Sequence, residues 1–332
     1  MAQKAPGALM ARESGEAMGV LARTARQAVA APDTEGLRAI YTIARGSSDA
    51  AANVLAYEMM RELGLPVTSL PPSVFSLAEG VEMTDALALV VSQSGASDDL
   101  VRSARGATAR GGRVVALTNR PDSPVEAEAS LTVPIGAGEE RAVPATKSVI
   151  GSIAAGMALL AAMRPDYGPR LAATVEALHG RAIVHPHADR LRAALLRARH
   201  VYVIGRDTGF GAAHEVALKL KECCALHAEA YSSSEVLHGP LQLATNPLMV
   251  LMLDTGLDAI QPSLDEAEAR FRKAGCDVHR IAPADLGLAG LVPAAAAAVL
   301  LAMLYPVILE TALALGLDPD APETLSKVTR TT

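Results

Sequence analysis

A chain of 332 residues, half of them apolar, is long enough for two cores of ordinary size. Its net charge of −6 and the lack of any basic run interleaved with aromatics argue against nucleic-acid binding. Three cysteines, Cys223, Cys224 and Cys276, cannot make a disulfide framework, and with no Trp, three Phe and six Tyr the cores must be built from Ala, Val, Leu and Met.

The N-terminus lacks the apolar run of a signal peptide, and residues from about Ala8 to Ala30 read as a helix, with Met10, Met18, Leu21 and Ala25 at helical spacing. A buried strand is expected over Leu37–Ala44, followed by Arg45-Gly46-Ser47-Ser48 and a helix over Asp49–Leu63 that Gly64-Leu65-Pro66 stops. Val67–Leu70 reads as a short strand. The apolar run from Ala86 to Val91 then gives way to Ser92-Gln93-Ser94-Gly95-Ala96-Ser97 and a helix from Asp98 to Arg110. Strand, polar Gly-containing turn and helix start together make an anion cradle, in which serine hydroxyls and helix N–H groups converge on one set of oxygens. The plainer reading is an ordinary turn with Ser97 as its cap, the dipole already answered by Asp98 and Asp99. Strands follow at Arg113–Thr118 and Leu131–Pro134, then a Gly-rich loop and a helix over Thr146–Met163.

The second half repeats the first. Tyr202-Val203-Ile204-Gly205-Arg206 echoes Tyr41-Thr42-Ile43-Ala44-Arg45, and Ala274–Val278 echoes Arg110–Val114, at nearly constant offset. The expected fold class is α/β, with two tandem doubly wound parallel sheets of flavodoxin-like type related by an internal pseudo-repeat. The expected division is a helical segment over 1–30, a first domain over 31–165, a linker over 166–190, a second domain over 191–321 and a tail over 322–332. Leu288–Leu309 is of membrane-span length and nearly all apolar, but its prolines and its alanine run suit a buried helix, and no membrane association is expected.

Where the first copy offers Ser92-Gln93-Ser94, the second has Asp254-Thr255-Gly256 and much less for a phosphate. The second instead carries acids and bases: Lys219 and Glu222, three apart on one helix face, then His238 in an exposed turn before Gly239-Pro240. One copy binding and the other catalysing is the economical reading. No dinucleotide fingerprint or P-loop follows a strand, so NAD and ATP chemistry are disfavoured and no cofactor is expected. His185-Pro186-His187 has the look of a metal pair but lies in the expected linker with no adjoining Cys or His, and no metal is expected. No G-x-S-x-G elbow is present, and neither adjacent cysteine has a sequence-local His arrangement that identifies a thiol nucleophile.

Taken with Val143-Pro144-Ala145-Thr146-Lys147, Ala217–Glu222, His227–Ala230, Glu235–Pro240 and the tail Pro322–Lys327, the two cradle loops resemble the sugar isomerase (SIS) family over nearly the whole chain. The likeness is to the isomerase half of glutamine–fructose-6-phosphate aminotransferase and to stand-alone phosphosugar isomerases and deaminases of that architecture. It implies that Gly46, Ser47, Ser48, Ser92, Gln93, Ser94 and Ser97 bind the phosphosugar, with Val143 and Ala145 lining the pocket. It implies further that Glu222 moves a proton between C1 and C2 and that His238 opens the ring, reaching in from the other subunit of a homodimer. Lys327 would sit at the carbonyl or imine carbon, and Lys219 would orient the sugar. Arg45 and Ala145 stand where relatives carry Cys and Ser, which leaves the sugar's identity open.

With no glutaminase segment in the sequence, the expectation is a cytoplasmic glucosamine-6-phosphate deaminase. A fructosamine-6-phosphate deglycase, a galactosamine-6-phosphate deaminase, another phosphosugar isomerase and, from a different class, a non-catalytic phosphosugar sensor are the alternatives. No helix-turn-helix segment or basic patch accompanies the unit, which disfavours the sensor.

Overall fold

The computed structural model describes residues 5–327. They form two compact units, each built on one parallel sheet. The first-sheet unit holds residues 19–139 and 147–179; the second-sheet unit holds residues 5–18, 140–146 and 180–327. Helix α1 (Ala8–Thr24) is divided between them after Met18. It ends six residues short of the expected Ala30, before the stretch around Pro32.

In the first-sheet unit, β1 (Ala39–Ile43) leads into α2 (Gly46–Leu63), which stops where Gly64 takes the left-handed conformation (φ 67°) and returns its N–H to the Met60 carbonyl at 3.0 Å. Strand β2 (Val67–Ser69), a short α3 (Ser73–Ser76), β3 (Ala86–Ser92) and α4 (Asp98–Ala109) follow. Then come β4 (Arg113–Thr118), a short α5 (Pro124–Ala127), β5 (Leu131–Pro134), α6 (Lys147–Met163) and α7 (Tyr167–Ala177). The strand order is β2-β1-β3-β4-β5, all parallel. All seven residues of β3 are buried, which is why it reads as an unbroken apolar run: a central parallel strand is covered on both faces. A Cβ on Gly156 of α6 would stand 2.3 Å from the Leu55 side chain of α2, so Leu55 packs directly on the glycine and any larger residue there would have to displace it. Helix α7 occupies the stretch expected as a linker. It is braced by the Tyr167 hydroxyl, which donates to the buried Glu58 carboxylate at 2.9 Å.

In the second-sheet unit, α8 (Ala188–Arg197), β6 (His200–Gly205), α9 (Thr208–Cys224) and β7 (His227–Ser232) precede two 3-10 turns, Glu235–His238 and Pro240–Thr245. Strand β8 (Met249–Leu253), α10 (Gln261–Lys273), β9 (Asp277–Ile281) and α11 (Pro293–Ala314) complete it. The order β7-β6-β8-β9 runs as in the first sheet but stops one strand short. Helix α11 is long and apolar enough to cross a membrane, yet 83% of its most apolar stretch is buried, against α8 and α9 among others. Its apolar surface is spent on the core.

Candidate functional site

In a doubly wound sheet, ligands bind outside the carboxyl ends of the strands where the chain order reverses. In the first sheet that point lies between β1 and β3, whose exits are Arg45–Ser48 and Ser92–Ser97. Helix α2 begins at Gly46, three residues before the expected start, so Ser47 and Ser48 sit in its first turn, with the Ser48 N–H donating to the Arg45 carbonyl at 3.1 Å. Neither α2 nor α4 is closed by a side-chain cap: Arg45 and Ser97 hold the cap positions, and neither side chain bonds back to its helix. Ser97 thus stands at the expected N-cap position, where its backbone carbonyl accepts from Leu100 and Val101, but its hydroxyl makes no cap bond.

The loop between β3 and α4 holds its own shape. The Ser92 hydroxyl accepts the Gly95 N–H at 3.0 Å, and the Ser94 hydroxyl accepts the Ala96 N–H at 3.3 Å. Gly95 has φ +61°, and a Cβ there would lie 2.2 Å from the Ser123 hydroxyl. Replacing Gly95 by alanine combines backbone strain with a clash and is expected to cost about 2–4 kcal/mol. A thermal melt together with a phosphosugar titration of that variant checks this, and both should suffer.

The corresponding loop of the second sheet fills its own cradle. Asp254, after β8, accepts the Gly256 N–H at 2.8 Å, Gln261 Nε2 at 2.9 Å, and Arg280 through Nε at 3.0 Å and Nη2 at 2.8 Å. An internal carboxylate takes the donors that an anion would use. Arg206, after β6, likewise directs Nη1 to the Ser232 and Ser234 hydroxyls.

What the second-sheet unit offers instead is a charged cluster on α9. Glu215, Lys219 and Glu222, spaced four and three apart, share one helix face. Lys219, 1% exposed, lies 2.5 Å from Glu222 and 3.4 Å from Glu215, which is wholly buried. Burial pulls the Lys219 ammonium down, but Glu215 and then Glu222 more than offset it, so its pKa is raised and it stays charged. The Tyr305 hydroxyl of α11 donates to Glu215 at 3.2 Å, and burial, with Glu215, Glu140 and Glu222 nearby, keeps that phenol protonated. Glu222 is the accessible member, with a quarter of its side chain exposed.

Lys327 and the segment 140–146 belong to the same unit. Lys327 Nζ stands 3.4 Å from the buried Glu140 carboxylate, whose other oxygen accepts the Thr146 N–H at 3.0 Å and closes the segment into a loop. Buried Glu13 of α1 accepts the N–H groups of Arg141 and Ala142 at 2.8 and 3.0 Å. The tail is anchored by Asp320, which takes the Leu9 and Met10 N–H groups at the start of α1, and by Asp318, which takes that of Gly7. Val143 and Ala145 are partly exposed on this loop.

His238 ends a 3-10 turn and lines a cavity of about 460 Å³ with Leu237, Leu241 and Arg270; among the described residues no hydrogen bond or ion pair joins it to Glu222. Cys223 and Cys224 are both buried on α9, and burial pushes the Cys223 thiol up to about 12, which disfavours it as a nucleophile. His185 spends Nδ1 on the His187 N–H at 2.9 Å, and no group of three or more ligating side chains with metal-site geometry occurs among the described residues. A larger cavity, about 890 Å³, opens around His200 and His227 at the amino edge of the second sheet, the end where doubly wound sheets do not bind their ligands. Sequence reading passed over Glu13, Glu140, Glu215, Tyr305 and the Asp318/Asp320 pair. Only Glu215, four before Lys219, carried a spacing signal; the others meet their partners from distant parts of the chain.

The second-sheet unit thus offers a carboxylate held by a buried cation, and the first-sheet unit an anion cradle whose helices have no side-chain cap. The SIS domain model matches residues 37–162. Glutamine–fructose-6-phosphate aminotransferase from Symbiobacterium thermophilum is 32% identical over 74% of this chain and 42% of its own length. The enzyme of that name from Pyrobaculum aerophilum is 30% identical over 87% of this chain and 51% of its own. The chain thus spans about half, or somewhat less, of the curated relatives it matches. A solved structure from Silicibacter pomeroyi, described as a phosphosugar isomerase, is 31% identical with a TM-score of 0.80, covering 94% of this chain and 99% of that one. Glucosamine-6-phosphate deaminase from Thermotoga maritima shares the fold at a TM-score of 0.75 and 20% identity, over 98% of this chain and all of that one. The chain belongs to the SIS family of phosphosugar isomerases.

Proposed function

We propose that this chain is a glucosamine-6-phosphate deaminase, a homodimer whose two sheets are copies of one unit diverged in role. The observation that carries the reading is Glu222: the one carboxylate of the α9 cluster open to solvent, fixed against a cation that stays charged. In the open-chain amino sugar, Glu222 takes the proton from C2 while O1 gains one, giving an enaminol. Return of the proton to C1 leaves an iminium at C2. Water adds there, ammonia departs, and fructose 6-phosphate remains. Glutamate suits this work because one carboxylate reaches both carbons, and the cations Lys219 and Lys327 stabilise the charge that develops on oxygen. Gly46, Ser47, Ser48, Ser92, Gln93, Ser94 and Ser97 hold the phosphate and hydroxyls, Val143 and Ala145 shape the sugar end, and His238 of the partner subunit opens the ring.

The test is ammonia release from glucosamine 6-phosphate. Release by the wild-type chain supports the reading; none, with fructose 6-phosphate still bound, overturns it and points to deglycase substrates. The homodimer has its own test. Glu222→Gln and His238→Ala chains, each inactive alone, should regain about a quarter of wild-type activity when co-refolded, because one site in a mixed dimer then holds both native groups. No recovery would place His238 in its own subunit's site or outside the chemistry.

A further inference from the structure

The two loops of the first-sheet cradle and the helix turns that follow carry three carboxylates, Asp49, Asp98 and Asp99, and a single cation, Arg45. A phosphate bound there meets hydroxyls and N–H dipoles but also three like charges. Two of these are answered locally: Asp98 pairs with Arg102 at 2.8 Å, and Asp49 accepts the Ser69 hydroxyl at 3.3 Å. Asp99 is different. Its side chain is 1% exposed, one oxygen receives Arg45 Nε, and the other has no hydrogen-bond partner among the described residues. Arg45 in turn is 44% exposed, and its two terminal nitrogens have no partner among the described residues. Its counterpart on the second sheet, Arg206, has spent Nη1 on Ser232 and Ser234.

We propose that Arg45, clamped by Asp99, is a phosphate-recognition residue of this chain, an inference that rests on the phosphosugar reading of the cradle. The bond through Nε fixes the guanidinium plane and leaves its Nη1–Nη2 edge as a planar fork, the arrangement that takes two phosphate oxygens at once. Holding the side chain in place before the ligand arrives removes part of the ordering cost of binding. The same residue cancels the charge of Asp99, which would otherwise oppose the ligand. Arg45 therefore supplies charge where serines alone supply dipoles, and it selects phosphorylated over unphosphorylated sugar.

Titration calorimetry of the full chain with inorganic phosphate and with fructose 6-phosphate tests this, with thermal melts to verify folding. Arg45→Met alone strands a buried carboxylate, so the informative protein is the Arg45→Met/Asp99→Asn double variant, which removes both charges. It should bind both ligands about tenfold or more weakly than wild type, while Asp99→Asn, which keeps the guanidinium, binds them within about threefold. Arg45→Lys, which keeps the charge without the fork, should fall between. A double variant that binds both ligands as wild type does would overturn the proposal, because Arg45 would then act only to neutralise Asp99. A folded wild-type chain that binds neither ligand sinks the phosphosugar reading itself, an outcome distinct from loss in the variants alone.

Discussion

Glu222→Gln should lower kcat for amino sugar phosphate turnover by about 10³-fold, within the usual range for losing a positioned acid–base group, while KM moves little. Glutamine keeps the shape of the side chain and can still face Lys219, so the fold is preserved and the loss reports chemistry. Solvent-exchange experiments sharpen the measurement: the wild-type enzyme should wash deuterium into the carbon-bound position of fructose 6-phosphate, and the variant should not. Exchange that persists in Glu222→Gln would move the proton carrier elsewhere and remove the central role assigned to this carboxylate.

Lys219→Met should be the most damaging substitution for stability. It removes the cation between Glu215 and Glu222 and leaves Glu215, with no exposed surface, among groups that no longer neutralise it. Breaking a buried pair from one side costs about 3–5 kcal/mol, equivalent to roughly 10 °C in Tm for a unit of this size. Adding Glu215→Gln should recover much of that loss, because the uncompensated charge goes with it; equal melting temperatures for the single and double variants would mean that Glu215 does not depend on Lys219. Raised pKa values here and elsewhere make stability depend on alkaline pH. Lys219 and Tyr305 are shifted upward, as are Tyr167 of α7 and Tyr202, the last to about 12. For each, the unfolded chain loses its proton first as pH rises. Their stabilisation is complete below the ordinary values of 10.0 for tyrosine and 10.5 for lysine and is lost on climbing through the raised ones. Chemical denaturation between pH 8 and 11, on the order of neutral-to-alkaline conditions, should show stability falling with pH only at the upper end.

The strands β3, β4 and β5, the helix stop at Gly64 and the two exits at Arg45–Ser48 and Ser92–Ser97 were all legible in the chain, because apolar runs, glycines and serines act locally. The alternation of strands and helices likewise specified two parallel sheets. Helix α7 escaped because Pro165 and Gly168 mark a break, whereas it is held by its buried face and by the Tyr167–Glu58 bond, a partner 109 positions away. Spacing on α9 identified Lys219 and Glu222 as neighbours but carried no information on burial, and burial is what makes Lys219 a fixed charge and Glu222 the reachable acid. The pairings of Glu140 with Lys327, of Glu13 with the 140–146 loop and of Asp320 with the start of α1 join segments between 128 and 311 residues apart. The sequence by itself determined which residue types stand at the ends of which strands. Only the tertiary structure decided which carboxylates are desolvated and which keep a face to solvent, since desolvation is a property of everything packed around a group and not of its neighbours along the chain.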